Sequence, residues 1–467
     1  MCGADYIPLR VTIEALPDNV LLDIFDFYRK AEIRRLHQKW PWPWNRLVHV
    51  CQRWRSLVFA SPLRLDLCLR CTSKTRVRAT LDFWPPLPFE IYVDIPYNVD
   101  DIIATLAHRN RVRKISIFNL TSSQLERLAP MMQEPFPALT LLQLRTRETA
   151  PTLPDMLLGG SAPRLQSLSL GRIPFPGLPK LLLSATDLSI LTLEGIPHTG
   201  YISPEAMVTC LYALTRLTCF AMKFEFPPSR PDRRPLPLTR VVLPALIGMV
   251  LQSDNEYLED FIARIDAPRL NTLDISIFNQ PVFDISQLLQ FITHTGMTKS
   301  FNQAAVFLDS PHVRFSHCPP EETYISKRLR LGIYCRGIDW QVSCAAQICS
   351  QYSFFLPSVE QLDIDGYYLR HSFWQDDLDG TPWLELFRPF TGVRTLRISR
   401  YLKSSIVHML QELTGERAIE VLPALNDLYL EHYQASEPEQ KAIEPFIAAR
   451  QYSDHPVAVH LWERPQF

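Results

Sequence analysis

Asp377-Leu378-Asp379-Gly380-Thr381 holds the most obvious potential chemistry in the chain, because two carboxylates one residue apart can flank a metal ion or attack a phosphate. A nucleophilic loop of that kind must follow a buried strand, and His371 to Gln375 does not have a strand's pattern. Read as a calcium loop with Gly380 at the sixth position, it needs a bidentate glutamate at the twelfth, where Leu386 falls. Cys68-x-x-Cys71 lacks a second pair at zinc spacing, and Cys344 with Cys349 is too loose and too distant to complete it. His312, His317 and Cys318 are clustered, but histidines at a strand edge are usually surface polar groups. Thr295-Gly296-Met297-Thr298-Lys299-Ser300 is like the end of a phosphate loop without its first glycine, and no nucleophile elbow is present. The expectation is a non-enzymatic protein with no catalytic residue, no metal site and no cofactor.

Composition directs attention to recognition. The 467 residues carry 48 basic and 49 acidic side chains, so no global charge selects a polyanion or an anionic membrane. Locally the balance breaks: Tyr28 to Arg78 contains thirteen Lys or Arg against Glu32 and Asp66. Ten cysteines at no regular spacing, several in apolar runs such as Cys210, Cys219 and Cys335, fit buried thiols of a reducing compartment. Charges at Asp5, Arg10, Glu14, Asp18 and Asp23 interrupt any secretory core, and no apolar run reaches membrane-spanning length, so a cytoplasmic or nuclear protein is expected.

Most of the chain is a repeat. Apolar residues recur at i, i+3 and i+5, beginning with Val112, Ile115, Ile117 and continuing through Leu139, Leu165, Leu188, Leu217, Leu246, Leu270, Val359, Val393 and Leu425 as first members. Successive starts are 27, 26, 23, 29, 29, 24, 89, 34 and 32 residues apart, which is the range of leucine-rich repeats with some longer units. The 89-residue interval divides into about three units, with drifted strands at Val306 to Leu308 and Leu331 to Cys335. Pro137, Pro163, Pro244, Pro268, Pro357 and Pro423 each precede the first apolar residue by two, where a proline stops the preceding element. Helices are expected between strands at Thr121 to Met132, Glu205 to Ala213, Ile285 to Thr293 and Ser404 to Thr414. One strand plus one helix cannot bury its own apolar face, so the units must stack. The slot three residues after the last apolar member holds Leu120, Arg147, Ile173, Ile196, Phe278, Tyr367, Tyr401 and Tyr433 where leucine-rich repeats often carry Asn or Cys, so irregular curvature is expected.

Ahead of the repeat, Leu16, Pro17, Leu21, Leu22, Ile24 and Phe25 open a helix, with Pro17 and Asp18 suited to its first turn. Leu47, Val48, Val50, Cys51, Trp54, Leu57 and Val58 form a second apolar stripe that ends before Pro62. The Leu16-Pro17 start, the run Val20 to Phe25, and Val50-Cys51-Gln52-Arg53-Trp54-Arg55 together resemble the F-box. Asn19 replaces a common acidic residue, and the stretch from Phe27 to Arg46, with Trp40-Pro41-Trp42-Pro43-Trp44, is longer than usual. Asp339-Trp340-Gln341, Trp383-Leu384-Glu385-Leu386, Val421 to Leu425 and Phe446 to Arg450 are similar to segments of the expanded mushroom (basidiomycete-type) F-box families.

The resemblance implies an α/β chain in three parts: a tail (1–13), an F-box-like all-α segment with an insert around 29–46 (14–66), and an irregular leucine-rich-repeat horseshoe with a C-terminal cap (67–467). It implies the substrate-recognition subunit of an SCF-type ubiquitin ligase. The adaptor face would use Leu16, Pro17, Leu21, Ile24, Phe25, Val50, Cys51 and Trp54 on a Skp-type adaptor and, through it, a cullin. Outward strand residues Arg145, Glu194, Asp274, Asp363, Asp365, Arg397 and Glu431 would meet an unidentified protein target. The alternatives are a repeat scaffold without a ligase role, or a nucleic-acid-associated protein using the basic N-terminal region; a membrane is not an expected partner.

Overall fold

In a computed structural model of the chain, the structure describes residues 13–35, 43–61, 67–73, 75–93, 97–148, 150–227, 240–278, 285–295, 297, 302–309, 312–317, 328–334, 340–353, 355–366, 381–413, 415, 417–431 and 438–462. Three helices come first: α1 (Asp18–Arg35), α2 (Pro43–Val48) and α3 (Gln52–Ala60). Eighteen strands follow among the described residues. They are β1 (Leu67–Arg70), β2 (Phe89–Val93), β3 (Val112–Leu120), β4 (Leu141–Thr146), β5 (Ser167–Gly171) and β6 (Ile190–Ile196), then β7 (Cys219–Phe224), β8 (Val241–Val242), β9 (Gly248–Ser253), β10 (Ile265–Asp266), β11 (Thr272–Phe278) and β12 (Gln303–Asp309). The last six are β13 (His312–His317), β14 (Arg328–Tyr334), β15 (Gln361–Asp365), β16 (Thr395–Ile398), β17 (Asp427–Glu431) and β18 (Ala458–Trp462).

Sixteen of these strands form one sheet in the order β1-β2-β3-β4-β5-β6-β7-β9-β11-β14-β13-β12-β15-β16-β17-β18, and β8 pairs with β10 in a separate ladder. Apart from the pairings made by β13, the neighbours run parallel. The molecule is therefore an α/β solenoid of leucine-rich-repeat type, each unit contributing a strand and most adding a short helical return. All ten apolar triples lie at this sheet: the second and third members sit on the strands, the first at or just before the strand's start, and all three are buried. Their partners across neighbouring strands are in register, as in Ile115, Leu142, Leu168, Leu191 and Phe220. Burying a Leu side chain contributes roughly 1.5 to 3 kcal/mol of transfer free energy, so a line of such residues is sufficient reason for the stack.

The prolines have a more specific place than a stop signal. Each of the six occupies the second position of a turn in which the first triple member's N–H donates to the carbonyl three residues back, as in Leu139 to Phe136, Leu246 to Leu243 and Leu425 to Leu422, at 3.0–3.2 Å. Proline's fixed φ favours that position. The residue before each proline, Phe136, Ala162, Leu243, Ala267, Leu356 or Leu422, is buried, so the repeat carries a fourth apolar site.

The expected helices form at Ser122–Leu128, Pro204–Tyr212, Ser286–Thr295 and Lys403–Glu412. Neighbouring units are linked through them: Glu259, on Asn255–Ile262, accepts from the N–H groups of Gln287 and Leu288 at 2.7 and 3.0 Å, capping the next helix. The hydrophobic core is one continuous cluster that includes Leu21, Phe25 and Val58 as well as the strand residues.

The 89-residue interval departs from expectation. It does not hold three repeat units. β12, β13 and β14 form a meander in which β13 is antiparallel to both neighbours, and the chain order 12-13-14 is reversed in space, placing β14 beside β11 and β12 beside β15. Only Ser310 and Pro311 separate β12 from β13, and a parallel crossover needs about a dozen residues. Cys335, included in the expected strand, lies outside the described residues.

Candidate functional site

Two surfaces can be built from the residues upward. At the N-terminus, Cys51 caps α3, its Sγ accepting from Trp54 N at 3.5 Å. Arg53 then reaches back to the start of α1, donating to Asp18 Oδ1 at 2.7 Å and to the Leu16 carbonyl at 2.6 Å. Trp54 is half-buried, and its ring lies 4.7 Å from that of Phe25. α1 carries two apolar stripes. Leu21 and Phe25 are buried with Tyr28 packed beside them, whereas Val20, Ile24 and Phe27 are 37%, 40% and 76% exposed. Val50, on the connection between α2 and α3, is 58% exposed.

The eight residues expected on an adaptor face are thus divided. Pro17, Ile24, Val50 and Cys51 are exposed, Leu16 and Trp54 are half-buried, and Leu21 and Phe25 are inside, where they hold the helices together. Val20 and Phe27 were missing from that set, although their spacing with Ile24, four and then three residues, is the signature of one helix face. Part of the basic excess has internal work as well. Besides Arg53, Arg46 donates to the Tyr28 hydroxyl at 3.4 Å, Arg55 to the Val48 carbonyl at 2.9 Å, and Arg70 lies 5.6 Å over the Tyr92 ring.

The second surface is the sheet face opposite the buried triples. Its middle row runs in register through Asp274, Arg330, Ser316, Ala305, Asp363, Arg397, Tyr429 and His460. Asp274 pairs with Arg330 at 3.9 Å. Asp363 accepts from Gln361 at 3.2 Å, and Asp365 is half-buried one pleat further on. Arg397 lies 5.6 Å over Tyr429 and 5.9 Å over Trp462. Arg145 and Glu194 meet elsewhere, at 3.8 Å on the C-terminal side of β4 to β6, where Lys223 also reaches Glu194 at 3.4 Å. Glu431 does not belong to this surface: it is buried and accepts from the Arg400 backbone N–H at 2.9 Å. The expected target residues form separate groups, of which Arg145 with Glu194 and Asp363 with Arg397 are adjacent.

No three His, Cys, Asp or Glu side chains that could hold a metal come together among the described residues. Cys68, Cys71, Cys344 and Cys349 are buried thiols. Burial pushes Cys71 up to about 12, and Cys68 and Cys349 upward too, away from thiolate chemistry. Cys318, Asp377, Asp379 and Gly380 lie outside the described residues, as do Trp40, Pro41, Trp42 and most of the proline- and arginine-containing stretch after Pro227. No helix among the described residues is long and apolar enough to cross a membrane.

No protein-family model matches the chain, and no curated protein matches it. Among solved structures it is similar to the leucine-rich repeat-containing protein LegL7 from Legionella pneumophila, with 9% identity over 86% of this chain and 91% of that one and a TM-score of 0.26. The repeat architecture itself follows from the strand order and the register of the buried triples.

Proposed function

We propose that the chain is a non-enzymatic recognition subunit of an SCF-type ubiquitin ligase, with α1 and α3 docking on a Skp-type adaptor and the solenoid holding a protein target. The observation that carries this reading is the exposed stripe Val20, Ile24, Phe27 on α1, with Val50 also on the surface. An amphipathic helix buries one apolar stripe; this one has a second left in solvent, which a helix-in-groove contact would cover. The resemblance of Leu16-Pro17 and Val50 to Arg55 to the F-box supplies the identity of that partner, and the adaptor would bring in a cullin.

The test is co-purification with a Skp-type adaptor of the wild type and of an Ile24→Asp, Phe27→Asp variant, whose substitutions leave the Phe25–Trp54 packing in place. One-to-one capture that is lost in a variant with unchanged circular dichroism supports docking. A folded wild type that captures no such adaptor removes it. A second reading, that the helices cap a scaffold solenoid, is favoured by one observation: Leu21, Phe25 and Val58 join the same core as the strands. It predicts that capture fails and that deleting residues 13–61 destabilises the repeat.

A further inference from the structure

The C-terminal side of the open sheet face carries a cleft of about 790 Å³ that runs from Arg145 on β4 to Tyr334 on β14. Those strands are six sheet positions apart, so the cleft spans roughly 29 Å, at about 4.8 Å per strand. That is too long for a compact metabolite and matches about nine residues of extended chain.

Its two ends differ. At the β4–β6 end two arginines lie over glycines. A Cβ at Gly171 would stand 2.8 Å from Arg145 Cγ, and one at Gly195 would stand 2.8 Å from Arg172 Cγ. Only a residue without a side chain lets either arginine lie flat against the strand beside it, and Gly195 also has φ +60°. Arg172 is itself left-handed, at φ 58°, and its guanidinium donates to the Arg147 carbonyl at 2.6 Å. Arg145 and Lys223 share the carboxylate of Glu194, at 3.8 and 3.4 Å, leaving more donors than one carboxylate can use. At the other end the wall is aromatic, with Tyr334 packed edge-on to Phe278 at 6.0 Å, while Phe226, 45% exposed, lies midway after β7 and stacks on His198 at 5.6 Å. Between the ends, Glu225 Oε2 is buried and accepts no hydrogen bond. A buried carboxylate oxygen left in that condition is costly, and a ligand N–H donor would relieve it.

We infer that this cleft binds an extended peptide segment of a protein partner, with an acidic side chain on Arg145 and Arg172 and an apolar or aromatic side chain on Tyr334 at the far end. An extended peptide presents an N–H at every residue, which supplies the donor for Glu225. The guanidiniums are suited to the acidic group because each offers a planar fork to a carboxylate or phosphate. The inference rests on the target-binding half of the proposed function and is independent of the adaptor half.

The experiment measures fluorescence anisotropy of labelled nonapeptides on the full chain with no adaptor present. One probe has two glutamates at one end and a phenylalanine at the other; a second replaces the glutamates by lysine; a third is the glutamate probe without phenylalanine; random duplex DNA is the fourth. The glutamate–phenylalanine probe is expected to bind at least about tenfold tighter than the lysine probe. Arg145→Gln, on a regular strand, and Arg172→Asn, chosen because Asn tolerates the left-handed region, are each expected to weaken it about fivefold or more. Arg216→Gln, at the Arg216–Asp187 pair away from the cleft, is the unchanged control. Equal or preferred binding of the lysine probe, indifference to both arginine variants, stronger binding of DNA, or no binding of any probe overturns the inference. None of these outcomes bears on adaptor capture, so that half of the reading stands or falls by its own test.

Discussion

Trp54 lies against Phe25 with ring centroids 4.7 Å apart and planes tilted by 58°, and this contact joins α3 to α1. Phe25 is buried and Trp54 half-buried, so the pair combines apolar burial with an aromatic contact worth about 0.5 to 1.5 kcal/mol beyond area. Trp54→Ala is expected to destabilise the N-terminal helices by about 2 kcal/mol while leaving the distant repeats folded. Hydrogen exchange should show faster amides in α1 and α3 with no change in β5 to β9. Equal acceleration throughout would mean that the helices and the solenoid unfold as one unit.

Arg450, on the helix Pro438–Tyr452, is fully buried and donates to four carbonyls: Ala418 at 3.2 Å, Leu422 at 3.4 Å, Pro423 at 3.4 Å and Leu425 at 2.8 Å. Ala418 belongs to the short helix Arg417–Glu420 and the other three acceptors to the turn that leads into β17, so one guanidinium fastens the long C-terminal helix to the last repeat. Arg450→Met keeps the length and strands the carbonyls. A cost on the order of 3 kcal/mol is expected, because several buried acceptors lose their donor together. Arg450→Lys should recover only part of it, since one ammonium cannot reproduce the planar fork. Urea denaturation of the three proteins measures both steps.

The buried thiols contribute to a loss of stability at alkaline pH. Burial pushes Cys71 up to about 12 and Cys210 up to about 11, from an ordinary 9.0. Above that ordinary value the unfolded chain loses thiol protons while the folded chain keeps them, so it binds fewer protons and stability falls as pH rises. Their contribution is complete below pH 9.0 and is lost on approach to about 12. Burial raises Tyr97 to about 12 as well, which adds to the same trend. The urea midpoint should be flat between about pH 7 and 8.5 and decline by about pH 10.5. Among the described cysteines of the native protein at pH 8, a thiol reagent should find Cys51 and Cys219 before the buried set, because both are exposed.

The stack was legible because each triple is a local consequence of one strand's geometry. A strand beside a buried row needs apolar residues two apart, and the turn before it needs one more, so Leu139, Leu142 and Leu144 announce β4 without knowledge of any neighbour. The meander was not legible for the complementary reason. Ala304, Val306 and Leu308 alternate as any one-faced strand does, and this period is shared by parallel and antiparallel pairing; the two-residue link to β13 requires the antiparallel pairing but is compatible with either order of the three strands. On α1, the sequence offers adjacent stripes through Leu21 and Phe25 and through Val20, Ile24 and Phe27. Which stripe turns inward depends on where Trp54 packs, nearly thirty residues away, so the periodicity of α1 alone does not separate Leu21 and Phe25 from the outward stripe. Strand parity points Glu431 outward, but at the end of β17 the backbone N–H of Arg400, just past β16, donates to it and the side chain is buried.

Arg397 is the last case, and it separates charge from shape on the open face. Its guanidinium lies over Tyr429 and Trp462, Tyr429 stacks on His460 at 4.7 Å, and His460 Nε2 is 2.8 Å from Asp427 Oδ1. These contacts cross from β16 through β17 to β18, the terminal strand, which has a backbone neighbour on one side only among the described residues. Each cation–π contact contributes roughly 0.5 to 1 kcal/mol at an exposed site. Arg397→Ala is therefore expected to lower stability by about 1 to 2 kcal/mol and to speed amide exchange in β18 more than in β15. Arg397→Lys discriminates the cause: an ammonium keeps the charge beside Asp363 but lacks the flat surface that covers two rings. If stacking holds β18, the Lys variant exchanges nearly as fast as the Ala variant; wild-type exchange in the Lys variant would assign the effect to charge instead.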